Sequence, residues 1–537
     1  MEAALSLSHA SNYKKELPCG QQLKFNPFFT SFGTHESFTF SVVTRNGVIL
    51  DSDTEKEPEY MSHVYTKIGD KKGAHSSSAL LAELPKDLRR ENTLDILLEC
   101  ANDSIHLGII SYLVRIANSM NNEDLTWDFQ YQSNETPITH ICEEKPFEPD
   151  RKSLAQMVKE LSGEIRSKYN ISDVDVSFCS VKDNYYFVSS EGSKIFTSNG
   201  YSRIAISIEK KDKHRRKEEV NHIYTFKDVS EIPTYEQLLE KSRELIENLD
   251  EIIHAPVQGN YIGPTILCGL NHGVFWHEVV GHALEGHRMQ PDSSGDRVSI
   301  FLDKTGFPVT SQFISISDDP TIKGMHGSFE YDHEGIKSRK VELIKEGILK
   351  NFLHSRSSAG YFSEIFGKKV RSNGHSRCDF ESLPVPRMSN LMVKSTYEFS
   401  YEELKGHLTD ICQEFGLPYG LILKDCSGGL TLPEDCMWET YPTNVFRLYP
   451  NGKEERVKGV YVVGTPLNAM NSIIATSDKY QTFEGFCGAE SGFVPSTQRA
   501  PDALFEMMEL NTIPESSYVK TSREYFKRPN LWPNGNK

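Results

Sequence analysis

The sequence predicts an α+β protein of two domains. Three observations predict it: a length beyond what one hydrophobic core usually organises, helical and strand periodicities that recur along the chain, and a change of character near residue 258. The chain has 537 residues, 38% hydrophobic and 25% charged, which is the composition of a globular protein rather than a disordered one. The expected division is 1–258, a mixed sheet with helices, and 259–537, a mainly antiparallel β domain carrying a metal-binding helix at about 272–286.

In the first half, Ile96, Leu97, Ile105, Ile109, Leu113 and Ile116 predict a helix over Leu94–Met120 with a break near Asn102. Leu154, Met157, Val158, Leu161 and Ile165 fall at i, i+3, i+4, i+7 and i+11, one face of an amphipathic helix. Val174, Val176 and Phe178 alternate as in a strand. Tyr185–Val188 and Lys194–Ile208 follow, with Asn199-Gly200 as the expected tight turn. A helix over Thr234–Ile253 opens on the capping pattern Thr234-x-x-Gln237. Pro256, Gly259, Gly263 and Pro264 then punctuate the chain and mark the domain junction.

The second half reads mostly as strands: Val341–Ile348, Leu421–Asp425, and a hairpin of Val445–Leu448 with Val457–Val463 around Asn451-Gly452. One helix interrupts them, Ser400–Phe415, capped by Ser400-x-x-Glu403 and stopped by Gly416.

Charge and cysteine usage narrow the function classes. The net charge is -16, from 59 Lys and Arg against 75 Asp and Glu, and a surface of that sign repels phosphate backbones. The basic run Lys210, Lys211, Lys213, Arg215, Arg216 and Lys217 leads straight into Glu218 and Glu219 and reads as a solvated loop, so no nucleic-acid partner is expected. Ten cysteines without a Cys-x-x-Cys pair argue for reduced thiols. Met1–Gly20 carries charges where a signal peptide would be apolar, and no apolar run approaches the ~20 residues of a membrane span. A cytoplasmic protein with no membrane association is the expectation.

Ligand-type residues concentrate in Asn271-His-Gly-Val-Phe-Trp-His277-Glu278-Val-Val-Gly281-His282-Ala-Leu-Glu285-Gly-His287. Histidines at i and i+4 of a helix share a face and hold one metal, with an adjacent glutamate as general base. Here the spacing is i, i+5, which rotates the second ring by about 140° on a regular helix. A single π turn between His277 and His282 would restore the shared face, and Gly281 lowers local helix stability at that point. His282 with Glu285 at i+3 forms a rival pair of ligands. A catalytic zinc usually takes three protein ligands, and the best candidate for the third is Cys487, set in the glycine-rich stretch Gly485-Phe-Cys487-Gly488. Taken alone, that cysteine reads as a buried thiol.

At these residues the sequence resembles the TldD/PmbA family of peptidases, in its metal-bearing TldD branch. The blocks that carry the resemblance run in order: Gly259-x-Tyr261-x-Gly263-Pro264, His277-Glu278-x-x-Gly281-His282-x-Leu284-Glu285-Gly286, Asp318-Asp319-Pro320, Asp332-x-Glu334-Gly335, Asn373-Gly374, Pro386-Arg387-Met388-x-Asn390, and Cys487-Gly488 with Gly492-x-Val494-Pro495. The resemblance implies a Zn2+ ion held by His277, His282 and Cys487, with Glu278 as catalytic carboxylate activating a zinc-bound water. It implies hydrolysis of peptides or unfolded segments by a homodimer or by a heterodimer with a PmbA-like subunit. The alternative it leaves is a non-catalytic partner-binding subunit of a TldD/PmbA-type complex. Pro466-Leu467 and Ser496-Thr497-Gln498-Arg499 depart from the more glycine-rich stretches of relatives. His326, His333, His375 and the Gly485–Gly492 backbone are candidate oxyanion donors.

Overall fold

The computed structural model of the protein describes residues 13–16, 22–25, 27–53, 58–68, 76–86, 90–121, 132–144, 150–212, 217–227, 231–290, 299–432 and 436–513. Lys213, Arg215 and Arg216 of the basic run and most of Met1–Gly20 lie outside them. The fold is α+β, built on two large sheets.

The first sheet contains β1 (Pro27–Arg45), β2 (Glu59–Ile68), β3 (Ser76–Leu84), β4 (Asp173–Ser189), β5 (Lys194–Lys211) and β6 (Lys217–Phe226), in the spatial order β6-β5-β4-β1-β2-β3, all antiparallel. Three helices accompany it: α1 (Arg90–Asn121), α2 (Arg151–Lys168) and α3 (Tyr235–His254). The α2 face read from the sequence buries Val158, Leu161 and Ile165 in one core with Val174, Val176 and Phe178 of β4, Ile204 and Ile206 of β5, and Leu238 and Leu249 of α3. Thr234 and Gln237 form the reciprocal capping box expected at the start of α3.

Two local expectations fail here. Helix α1 runs unbroken through Asn102, because Leu97, Ala101, Ile105 and Ile109 keep a continuous buried stripe and Asn102 sits on the exposed side. Asn199-Gly200 is no turn: Asn199 pairs with Asp183 and Gly200 with Lys182 inside the β4–β5 ladder. The reversal falls instead at Gly192, whose φ of 105° needs a glycine.

The second sheet contains β7 (Tyr261–Leu267), β8 (Ile314–Asp318), β9 (Val341–Lys345), β10 (Asn390–Ser395), β11 (Gly420–Leu423), β12 (Cys426–Leu432), β13 (Met437–Pro442), β14 (Val445–Leu448), β15 (Val460–Gly464), β16 (Ile473–Ala489) and β17 (Gly492–Thr512). Antiparallel pairs dominate, but β7 runs parallel to β11 and β10 parallel to β17. Strand β17 organises the sheet, pairing with β10, β7, β15 and β16 along its 21 residues. The Asn451-Gly452 turn joins β14 to a short strand, Glu454–Val457, which is separate from β15. Helix α4 (Gly269–Trp276) leaves β7; helix α5 (Arg356–Ile365) follows later, and α6 (Tyr401–Glu414) carries the expected Ser400–Glu403 capping box with Gly416 at φ 65° just past its end. Among the described residues no helix is long and apolar enough to cross a membrane.

The sheets meet through Tyr331 of the second half, which packs with Tyr185, Phe187 and Ile195 of the first. The buried Arg356 guanidinium also reaches Glu191 at 2.8 Å.

Candidate metal centre

The segment that carries the histidines is fastened before any ligand appears. The backbone N–H of Gly269 donates to Asp502 Oδ1 at 2.7 Å, and Asn271 Nδ2 donates to the carbonyls of Leu423 and Asp425. His272 Nδ1 lies 2.8 Å from the Pro501 carbonyl, while its Nε2 accepts from Trp276 Nε1 at 2.7 Å. Burial pushes His272 down to about 4, so it is a neutral strut with both nitrogens engaged, not a ligand. These bonds fix α4 between β11 and β17.

After Trp276 the helix widens. Residues His277–Gly281 form a π turn in which the His282 N–H bonds to the His277 carbonyl, and a 3-10 turn, His282–Leu284, follows before Glu285 turns extended. The extra residue brings the two rings to one side, with centroids 5.0 Å apart. Gly281 makes this turn fit: a Cβ there would stand 1.8 Å from Met388 Sδ.

Cys487 comes from the far end of β16, where it pairs with Val494 of β17. Its Sγ lies 3.1 Å from His277 Nε2 and 3.3 Å from His282 Nε2. The three ligand atoms all lie within 4.8 Å of one another, and all three residues are buried. Tetrahedral zinc bonds of ordinary length put nitrogen and sulfur about 3.5 Å apart, so this donor set fits a zinc ion in both spacing and chemistry.

Each histidine is oriented through its other nitrogen. His282 Nδ1 lies 3.2 Å from Glu285 Oε2, and that carboxylate is held by Arg288 Nε at 3.0 Å and Arg387 Nε at 3.5 Å. Glu285 therefore positions His282 from behind and does not join the ligand cluster as the rival pairing would have it. His277 Nδ1 faces the Gln498 side-chain amide at 2.6 Å. A histidine that ligates through Nε2 carries its proton on Nδ1, so with a metal present Gln498 offers its amide oxygen there.

Arg387, fully buried, ties the thiol to this network. Its Nη2 donates to the Cys487 carbonyl at 2.6 Å, and Nη1 donates to Ser491 Oγ and the Gly492 carbonyl. Burial alone would raise the Cys487 thiol, but His282, Arg387 and His277 overcome it and hold it well below the usual thiol range. Burial would lower His282, yet Cys487 and Glu285 push it well above the usual imidazole value. A zinc ion held here would need the thiolate and the neutral imidazole as its donors.

Glu278 follows His277 in the same π turn. Thr431 Oγ1 of β12 lies 2.6 Å from Glu278 Oε2 and 2.9 Å from the Glu278 carbonyl. Gly429 lets the strand come this close: a Cβ there would stand 2.6 Å from Glu278 Cγ. A cavity of about 30 Å³ adjoins the carboxylate, lined by residues including Thr431, Phe301 and Met437. That volume holds a water but no peptide.

Of the oxyanion candidates, His375 Nε2 is 3.0 Å from buried Asp318, and His333 lies beside Cys378. His326 is buried and, among the described residues, its two ring nitrogens have no hydrogen-bond partner, the ring lying against Phe486 and Tyr201. Sequence reading missed Arg387, Thr431 and Gln498 as parts of the site. Arg387 stood in a noted block and Gln498 in a stretch noted only as a departure, and nothing in one sequence signals that residues 100 to 221 positions away share a shell.

Residues 259–512 match the family model described as PmbA/TldA metallopeptidase C-terminal domain. A metalloprotease of Methanocaldococcus jannaschii is 32% identical over 224 residues, 42% of this chain and 45% of that protein. A zinc metalloprotease TldD homolog of Saccharolobus solfataricus is 24% identical over 346 residues, 63% of this chain and 70% of its own. The chain thus aligns with about half the length of curated relatives such as the first. Among solved structures, TldE from Thermococcus kodakarensis superposes with a TM-score of 0.60 at 14% identity, covering 90% of this chain and 97% of that one.

Proposed function

We propose that this chain, which belongs through residues 259–512 to the TldD/PmbA family, is a zinc-dependent peptidase in which His277, His282 and Cys487 hold the ion and Glu278 is the general base. The observation that carries the reading is the convergence of two imidazole nitrogens and one sulfur, buried, across a π turn. Zinc bound there supplies Lewis-acid polarisation of a peptide carbonyl and lowers the pKa of the attacking water. Glu278 takes the water proton and delivers it to the leaving amine, while Thr431 fixes the carboxylate rotamer. Glu285 and Gln498 keep each ring turned toward the ion. The substrate class is a peptide or unfolded segment, and the partner is an identical chain or a PmbA-like subunit. The working division is 1–258 and 259–537, with the chemistry in the second part. Free thiols at the described cysteines suit a reducing cytoplasm.

The cavity beside Glu278 favours a second reading, a non-catalytic partner-binding subunit, because a peptide enters only if the lining moves. Metal analysis combined with digestion of an unstructured peptide separates the two. Glu278→Gln is expected to keep its zinc and to lose cleavage by roughly 10²–10⁴-fold. A variant that keeps zinc and cleaves at the parent rate refutes Glu278 as base, and a zinc-loaded parent that cleaves nothing supports the second reading.

A further inference from the structure

A second cluster of metal-ligand side chains lies where the two sheets meet, apart from the proposed catalytic residues. His35 projects from β1 of the first sheet; His333 and Cys378 come from loops of the second half. Cys378 Sγ is 3.1 Å from His333 Nδ1 and 3.7 Å from His35 Nε2, and the three ligand atoms all lie within 4.8 Å of one another. Those separations bracket the ~3.5 Å expected between nitrogen and sulfur around tetrahedral zinc.

A separate feature points the same way. His35 Nδ1 sits 3.0 Å from both oxygens of Asp183, on the neighbouring strand β4. A carboxylate behind the imidazole fixes the proton on Nδ1 and leaves the Nε2 lone pair aimed at Cys378, the arrangement that orients a metal-ligating histidine. His35 and Cys378 are buried, while His333 keeps partial exposure and the Asp183 side chain is 27% exposed, so an ion has a route in.

We propose that His35, His333 and Cys378 hold a second zinc ion, with a water completing its four-coordination, and that this ion clamps β1 of the first sheet to the loops of the second half. Two neutral imidazoles and one thiolate are the donors zinc accepts in a reducing compartment. The Cys378 N–H reaches His333 Nδ1 at 3.0 Å, and His333 exchanges that hydrogen bond for the ion. The rival is a metal-free hydrogen-bonded cluster. A Cys378–His35–Asp183 row also has the order of a nucleophile triad, but Cys378 is only 4% exposed and no substrate carbonyl reaches it.

Zinc analysis of the purified full-length chain tests the assignment. The parent is expected to hold two zinc ions, the His277→Ala/Cys487→Ser variant one, and that variant with Cys378→Ser added none. Cobalt loaded into His277→Ala/Cys487→Ser should give a thiolate charge-transfer band that the further Cys378→Ser change abolishes. If Cys378→Ser fails to fold, Asp183→Asn in the same background replaces it, with zinc affinity expected to fall roughly 10–100-fold. A His277→Ala/Cys487→Ser chain that holds no zinc, or a cobalt band that survives Cys378→Ser, overturns the site. A parent with a single zinc lost on Cys378→Ser upholds it and instead refutes the metal reading at Cys487.

Discussion

Gly281→Ala sets two known tendencies against each other inside the π turn. Replacing glycine by alanine in a helix gains about 1 kcal/mol from propensity alone. Here the new Cβ would stand 1.8 Å from Met388 Sδ, 2.9 Å from Cε and 3.1 Å from Cγ, against the ~3.5–4 Å of a normal carbon contact. Met388 is fully buried and cannot swing into solvent, and its carbonyl is held by Arg377 Nη1 at 2.8 Å. Overpacking of this kind costs ~1–3 kcal/mol, and the overlap places it at the upper end. The net expectation is a loss of about 1–2 kcal/mol, read by urea denaturation, with a zinc affinity reduced roughly tenfold or more because His282 is the next residue. In a Met388→Ala background the methyl has room, so Gly281→Ala should become neutral or stabilising, a coupling of at least ~1 kcal/mol. A Gly281→Ala chain at or above the parent's stability, with zinc retained, would refute the claim that Met388 packing demands glycine here.

Gly429→Ala pushes a methyl against Glu278 Cγ, so cleavage should fall while zinc content stays level, checked by parallel kinetics and metal analysis. Arg387→Met removes one of two arginines from the Glu285 carboxylate and takes this donor from the Cys487 and Gly492 carbonyls, and should cost about 1–3 kcal/mol for each carbonyl left without a partner, by denaturant titration. Burial would raise Glu490, but His287 and Arg288 hold it down to about 2. Its folded value lies below its unfolded one, so the stability it contributes is complete above the usual glutamate range, about 4.5, and drains away as pH falls toward 2. Glu490→Gln should flatten the stability curve across that interval, and an unchanged slope would show that the ion pair contributes nothing.

How much of this was legible in the sequence depends on whether a feature is local. The caps at Thr234 and Ser400 and the face of α2 were readable because each is set by residues within a turn or two of one another. The i, i+5 spacing of His277 and His282 called for a π turn on geometry alone, and the backbone has one. Asn199-Gly200 misled because a turn dipeptide has no force where a neighbouring strand pairs continuously across it. The shell around the ligands was invisible: Arg387, Thr431 and Gln498 arrive from three separate strands or loops, and only tertiary pairing makes them neighbours of His277 and Cys487.

Strand β17 works as a ruler. Val494 near its start pairs with Cys487, and Ala503 to Phe505 pair with the stretch of β7 that launches α4. Nine residues, about 30 Å of extended chain, therefore set the spacing between sulfur and imidazoles. Inserting one residue in that interval would slide the hairpin tip by ~3.3 Å and invert which face every side chain presents, while inserting two would keep the faces and misplace the sulfur by twice as much. Length changes there, well away from the ligands themselves, are expected to damage the centre as much as losing a ligand.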